Sequence, residues 1–242
     1  MALTRRASPL LLSVRAGLAR LGDAERARGQ QAYAKSAMPF HGVTTPQFRV
    51  VCRRLFALLE WPDAPGWRKD VLGVWRGATH REERHAAIEL SGHRRARSFQ
   101  TLEALPVYEE MIVTGAWWDF VDGIATHRLR ELLVRHPAPM RRTMRAWARD
   151  ANMWKRRAAI LCQIGLKEET DLELLYACIE PSLGSKEFFL RKAIGWALRQ
   201  YAWTDPREVV RYVRRNRDRL SPLSKREALK NVLRQGLIGR IP

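Results

Sequence analysis

Apolar residues recur along this chain at three- and four-residue spacing almost without interruption, while strict two-residue alternation is nearly absent. That pattern predicts helices throughout and no sheet. Expected helices span 7–20, 23–37, 45–60, 65–76, 80–97, 102–114, 117–134, 138–150, 153–166, 171–180, 186–202, 205–217 and 222–235. Several starts carry recognisable chemistry. Asp205-Pro206-Arg207-Glu208 sets a cap, a first-turn proline and an N3 glutamate in order, and Ser224-Lys225-Arg226-Glu227 has the form of a capping box.

Self-comparison sharpens this. Arg84-His85-Ala86-Ala87-Ile88 matches Arg156-Arg157-Ala158-Ala159-Ile160 at twice a 36-residue step, and Arg191-Lys192-Ala193-Ile194-Gly195 follows the pattern 35 residues further on. Trp118, Trp154 and Phe189 fall on the same ladder. A period near 36 built of two helices points to an α-solenoid of the HEAT or armadillo kind. The expected fold is therefore all-α: HEAT-like two-helix repeats in one domain over residues 1–242, curved into a superhelix with a basic concave groove. The first 25 residues form either a capping helix or a flexible arm. In such an array the second helices line the concave surface, and Arg157 and Lys192 are presented from successive helices at similar height.

Charge identifies the partner of that surface. Lys and Arg total 44 against 25 Asp and Glu, a net +19 spread along the chain rather than gathered in a tail. A dispersed excess favours a basic surface, whose natural partner is a polyanion. Nucleic acid precedes membrane, because the longest apolar stretches fall short of the ~20 residues a span needs. Cys52, Cys162 and Cys178 are far apart, without metal-ligand spacing and in apolar helical contexts, as expected of buried thiols in a reduced cytoplasmic protein. Arg5-Arg6 followed by Pro9-Leu10-Leu11-Leu12 imitates an export signal, but Arg15 interrupts the run and no small-residue cleavage site follows cleanly. Glycine patterns for phosphates, paired-cysteine zinc sites and His-Glu-x-x-His are missing and the six histidines are scattered, so neither a metal nor a nucleotide cofactor is expected.

Trp117-Trp118-Asp119-Phe120-Val121-Asp122 carries the candidate chemistry. Trp118 and Asp122 are four residues apart and share one helix face, so a carboxylate stands one turn from an aromatic plate. Tryptophan at helical spacing serves a core as readily as a site. Asp122, however, is too deep in an apolar helix to be a cap and needs a basic partner or a task. Asp119 lies in the first turn and complements the helix dipole. One repeat on, the Arg157 guanidinium is placed either to grip a phosphate bidentately or to hold Asp122 ionised. Trp196 lies one turn beyond Lys192, within a run ending at Arg199, with Gly195 relaxing the crowding beside it. Tyr33 is a further aromatic with a basic neighbour near the start of the array.

At these residues the sequence resembles the AlkD-type DNA alkylation-repair glycosylases, a family of HEAT-like repeat proteins. The resemblance runs from about Tyr33 to Leu233. It rests on Phe40-His41-Gly42-Val43 with Pro46 and Arg49, the Trp117–Asp122 run, Trp154–Leu161, Ser185–Phe189 leading into Lys192–Trp196, and Ser221–Ala228. It implies that Trp118 and Asp122 are the catalytic aromatic and carboxylate, Arg157 a phosphate-gripping arginine, Trp196 the second tryptophan of the lesion-facing wall, and Tyr33 a tyrosine lining the DNA groove; beside these, Lys192 and Arg199 on the basic face are expected to bind DNA. It also implies a monomer of the bacterial cytoplasm and nucleoid that excises N3- and N7-alkylated purines from duplex DNA without drawing the base into a pocket, unlike base-flipping glycosylases. His41 stands where the family usually keeps an apolar residue, and Ala151 where an aspartate is common before the Trp154 helix, a change that weakens a helix cap by about 1 kcal/mol.

The chemistry agrees with that implication. Alkylation at N3 or N7 makes the purine a cationic leaving group that needs no strong acid. Positive charge then develops on the deoxyribose, where a carboxylate stabilises it and orients water. Trp118 and Trp196 would hold the cationic nucleotide by π contacts of ~0.5–2 kcal/mol each, while Arg157 and Lys192 fix the backbone. Two alternatives use the same sequence: a non-catalytic DNA-binding scaffold, and a protein-binding solenoid, which the +19 charge disfavours.

Overall fold

The computed structural model describes residues 7–240, so Arg5 and Arg6 lie outside the described residues. Among those described there is no β-strand, and no helix is long and apolar enough to cross a membrane. The chain divides into two compact units, one ending at Val107 and the other starting at Tyr108.

Five α-helices build most of the first unit: α1 (Pro9–Ala19), α2 (Ala24–Ala34), α3 (Thr45–Phe56), α4 (Ala64–Gly77) and α5 (Arg81–Ser91). Leu11, Val14 and Leu18 recur at helical spacing on α1 and are fully buried where α1 packs on α3, α4 and α5. Trp67 and Trp75 of α4 and Ala86, Ala87 and Leu90 of α5 complete that core. The start of α3 is a full capping box: Thr44 accepts from the Gln47 N–H and the Gln47 side chain accepts from the Thr44 N–H at 3.0 Å.

The helix expected over 80–97 ends earlier. Gly92 caps α5, the Ser91 hydroxyl folds back onto the Ile88 carbonyl at 2.7 Å, and the Gln100 amide takes the Ser91 carbonyl at 3.0 Å. With the last turn satisfied locally, the chain resumes as a 3₁₀ helix, Arg94–Phe99.

The division between units falls within α6 (Leu105–Gly115), which follows a 3₁₀ turn at Leu102–Ala104. Ala116 then takes the left-handed conformation (φ 42°), reversing the chain into Trp117, which is extended and precedes α7 (Trp118–Gly123). The continuous helix expected over 117–134 is instead α7, a π-helical segment at Ile124–Leu129, and α8 (Arg130–Arg135). Thr126 Oγ1 donates to the Asp122 carbonyl at 2.7 Å where the wider turn begins. Such π segments are frequent at functional sites.

The remaining helices are α9 (Pro137–Trp147), α10 (Met153–Leu161), α11 (Leu172–Ile179), α12 (Phe188–Tyr201), α13 (Pro206–Arg215) and α14 (Pro222–Arg234). Within this unit α7, α10, α12 and α14 pack one on the next, while α9 and α11 contact α10 and each other, and α13 contacts α12 and α14. Asp205 caps α13 as expected, accepting from the Glu208 N–H at 2.9 Å. The capping box expected at Ser224 is not there. Ser221 is the α14 cap, accepting from the Ser224 N–H at 3.0 Å, while Ser224 sits inside the helix and its hydroxyl donates to the Arg191 carbonyl. The cap before α10 is Asn152, accepting from Trp154 and Lys155, so Ala151 costs that helix no cap.

Candidate functional site

Phe120 and Val121 are fully buried and fix the core-facing side of α7, which leaves Trp118 and Asp122, one turn apart, partly exposed on the other. Asp119 accepts from the Phe120 N–H at 3.0 Å in the first turn, where a carboxylate complements the helix dipole.

Asp122 meets Arg157 of α10. Nε donates to Oδ1 at 2.7 Å and Nη2 to Oδ2 at 2.8 Å, a bidentate pair in which the arginine side chain is 4% exposed and the aspartate 14%. Nη1 donates to the Phe189 carbonyl of α12, and the guanidinium carbon lies 5.9 Å from the Phe189 ring centre. Of the two roles considered for Arg157, the geometry displays the holding of Asp122, which with the Phe189 carbonyl takes three of the five guanidinium N–H donors. Burial raises the Asp122 carboxyl above the ordinary aspartate value, and the hydrogen bonds and charge of Arg157 offset this only in part.

Aromatic side chains cluster where α7 starts. Trp117 packs with Trp154 and Phe189, at ring-centre distances of 6.1 and 5.5 Å, and Trp154 and Phe189 are 5.1 Å apart. Because Trp117 is extended rather than helical, its side chain leaves the helical register and enters this cluster, and Trp118 becomes the residue on Asp122's face. Phe188 packs edge-on against Phe189 and is 51% exposed.

Lys192, Trp196 and Arg199 follow at one helical face of α12. Both cations reach Glu227 of α14: Lys192 Nζ lies 2.6 Å from Oε1, and Arg199 pairs with Oε2. Burial alone would raise the Glu227 carboxyl, but the two cations outweigh it and hold the group below the ordinary glutamate value. The approach of α12 to α14 depends on Gly195, since a Cβ there would lie 2.4 Å from the Glu227 Cβ and 2.9 Å from the Ser224 carbonyl. Tyr33 belongs to the first unit, near the end of α2, and is 78% exposed.

The histidines, scattered in sequence, are not all scattered in space. His41 and His80 stack at 3.9 Å, and His41 Nε2 lies 3.0 Å from Oε1 of the fully buried Glu83. These three offer ligand atoms within 4.8 Å of one another. Glu83 is already occupied, however, by Arg15 through Nε and Nη2 at 2.8 and 3.0 Å and by the Thr79 N–H at 2.7 Å. Adjacent Glu82 accepts the His41, Gly42 and Val43 N–H groups. The two acids pin the Phe40-His41-Gly42-Val43 turn, which gives the polar His41 a partner. From the sequence, Arg81-Glu82-Glu83-Arg84-His85 reads as a solvated helix face with internal ion pairs, but Arg81, Glu82 and Glu83 are buried and serve contacts to other segments; Glu227 reads as a capping-box acid, although it also continues the 35-residue step from Arg157 through Lys192.

The sequence profile of the DNA alkylation repair enzyme family matches residues 14–232. Among solved structures the chain is similar to a predicted DNA alkylation repair enzyme from Enterococcus faecalis, at 30% identity and a TM-score of 0.77, with 86% of this chain and 95% of that one covered. No curated protein matches it.

Proposed function

This chain belongs to the DNA alkylation repair enzyme family, and from that premise we propose that it is a DNA glycosylase that releases N3- and N7-alkylated purines from duplex DNA. The observation that supports this best is the bidentate Asp122–Arg157 pair beside the partly exposed Trp118. A scaffold that only grips phosphates has no use for a carboxylate set among cations, whereas a reaction that develops positive charge on a sugar has.

The sequence of events follows from the chemistry. The alkylated purine is a cation and departs with the glycosidic electron pair, leaving an oxocarbenium-like deoxyribose. Asp122, ionised and oriented by Arg157, stabilises that charge and directs the attacking water, whose released proton passes to solvent as the C1′ hydroxyl forms. Trp118 and Trp196 hold the cationic nucleotide by π contacts, while Lys192, Arg199 and Tyr33 contact the DNA. No step requires a cofactor, and one copy of the chain supplies every group.

Incubation of the purified protein with methylated duplex DNA tests this. Mass spectrometry of the small-molecule fraction is expected to find free 7-methylguanine or 3-methyladenine. Tight, salt-sensitive binding without any released base would move the assignment to a non-catalytic DNA-binding scaffold.

A further inference from the structure

Asp122, Arg157, Lys192 and Glu227 follow one another at steps of 35 residues, and the first three are each the fifth residue of their helices, α7, α10 and α12. They pair two and two between adjacent helices: Asp122 with Arg157, then Lys192 with Glu227. The second pair repeats the first with the charges exchanged. It differs in exposure, since the Arg157 side chain is 4% exposed whereas Lys192 is 41% exposed above a Glu227 that is only 15% exposed. The first pair therefore sets a largely covered carboxylate beside a buried cation, and the second an accessible cation over a largely covered carboxylate.

Glu227 also takes Arg199, so one carboxylate holds two cations that flank Trp196 on α12 at one turn either way. Free lysine and arginine side chains lose rotamer freedom when they bind a phosphate. Cations already tied at their inner side lose less, and their outer N–H groups stay fixed in relation to the indole between them. The cost is one negative charge that lowers the local attraction for any polyanion. A site built only for affinity would omit that charge; a site that must set the register of the strand against an aromatic plate gains from it.

We propose that Glu227 is a positioning residue, which fixes Lys192 and Arg199 on either side of Trp196 so that a DNA strand is seated in one register rather than merely attracted. This rests on the assignment of the α12 face to DNA. Glu227→Gln is expected to bind undamaged duplex no more weakly than wild type, because the patch gains a net positive charge, while its preference for a duplex carrying 7-methylguanine over the undamaged duplex falls about tenfold. Lys192→Gln is expected to weaken both duplexes, to reduce the salt slope by about one, and to lose the same preference, since the register needs a cation on each side of Trp196. If Glu227 acts through its cations, the double variant shows the preference of Lys192→Gln alone, with no added loss.

The measurement is fluorescence anisotropy on both duplexes across a salt series, with thermal unfolding of each variant alongside. An unchanged preference in Glu227→Gln overturns the proposal, as does equal weakening on both duplexes or strict additivity in the double variant. Should Glu227→Gln fail to fold, Glu227→Asp takes its place: a shortened carboxylate that keeps its charge is expected to lose preference without gaining affinity, and wild-type behaviour overturns the proposal. Because the readout is binding, an absence of base release in the wild type would remove the glycosylase assignment while leaving this test intact.

Discussion

Arg157 grips both oxygens of Asp122 across 35 residues of sequence, at 2.7 and 2.8 Å, and spends its third nitrogen on the Phe189 carbonyl. A carboxylate at that depth would otherwise favour protonation; the guanidinium keeps its charged form within reach and fixes the direction of its free lone pairs. One arginine thus ties α7, α10 and α12 together at the candidate reaction centre.

Removing that arginine leaves a largely covered carboxylate without its partner. Arg157→Ala is expected to cost about 3 kcal/mol, the lower end for a broken buried pair, and Arg157→Lys less, since a single ammonium keeps the charge but not the fork. Urea unfolding of the three proteins measures this; a loss under about 1 kcal/mol would place the pair among ordinary surface bridges.

The pH dependence of base release carries the sign of the Asp122 shift. Burial raises this carboxyl above the ordinary aspartate value despite Arg157, and the ionised form is the active one. Single-turnover release is therefore expected to be flat at neutral pH and to fall as pH drops through that raised value, above the range where a solvated aspartate titrates. A rate–pH profile with no acid limb above that range would contradict it.

Glu83 works in the opposite direction. Burial pushes it up, but His41, Arg15 and the Thr79 N–H outweigh this and hold it well below the ordinary glutamate range. A depressed carboxyl contributes stability that is present above its unfolded value and is lost as pH falls through the folded one. Wild type is accordingly expected to lose stability from the ordinary glutamate range downward, and Glu83→Gln to be less stable at neutral pH with a shallower acid slope. Parallel slopes in acid denaturation would remove Glu83 from that role.

Gly195 tests the close approach of α12 and α14. A Cβ at that position meets Glu227 Cβ at 2.4 Å and the Ser224 carbonyl at 2.9 Å, so Gly195→Ala is expected to cost ~1–3 kcal/mol through overpacking, although alanine is the better helix former. A stabilised variant in thermal unfolding would contradict the contact.

The helices and most of their ends were legible because the signals are local: Asp205 with Pro206 at α13, and the 3.6-residue apolar period elsewhere. The errors share a different origin. Ser224 and Glu227 have capping-box spacing, but the Ser221-Pro222 start one turn earlier won, which released Glu227 for two cations on α12. The π segment after Gly123 and the entry of Trp117 into the aromatic cluster depend on packing between helices, which no single window of sequence contains. The Asp122–Arg157 pair was foreseeable as one of two roles, because the repeat brings equivalent positions of neighbouring helices side by side. The step that would have revealed Glu227 was the continuation of that same period.

The most direct measurement is a comparison of wild type with Asp122→Asn on a duplex carrying a single 7-methylguanine, following both the dissociation constant and the single-turnover rate of base release. Loss of the carboxylate charge with its shape kept is expected to leave binding within about threefold and to slow release by about 100-fold or more, near 2.7 kcal/mol of transition-state stabilisation. Release at the wild-type rate from Asp122→Asn would contradict the assignment of Asp122 as the group that drives the cleavage.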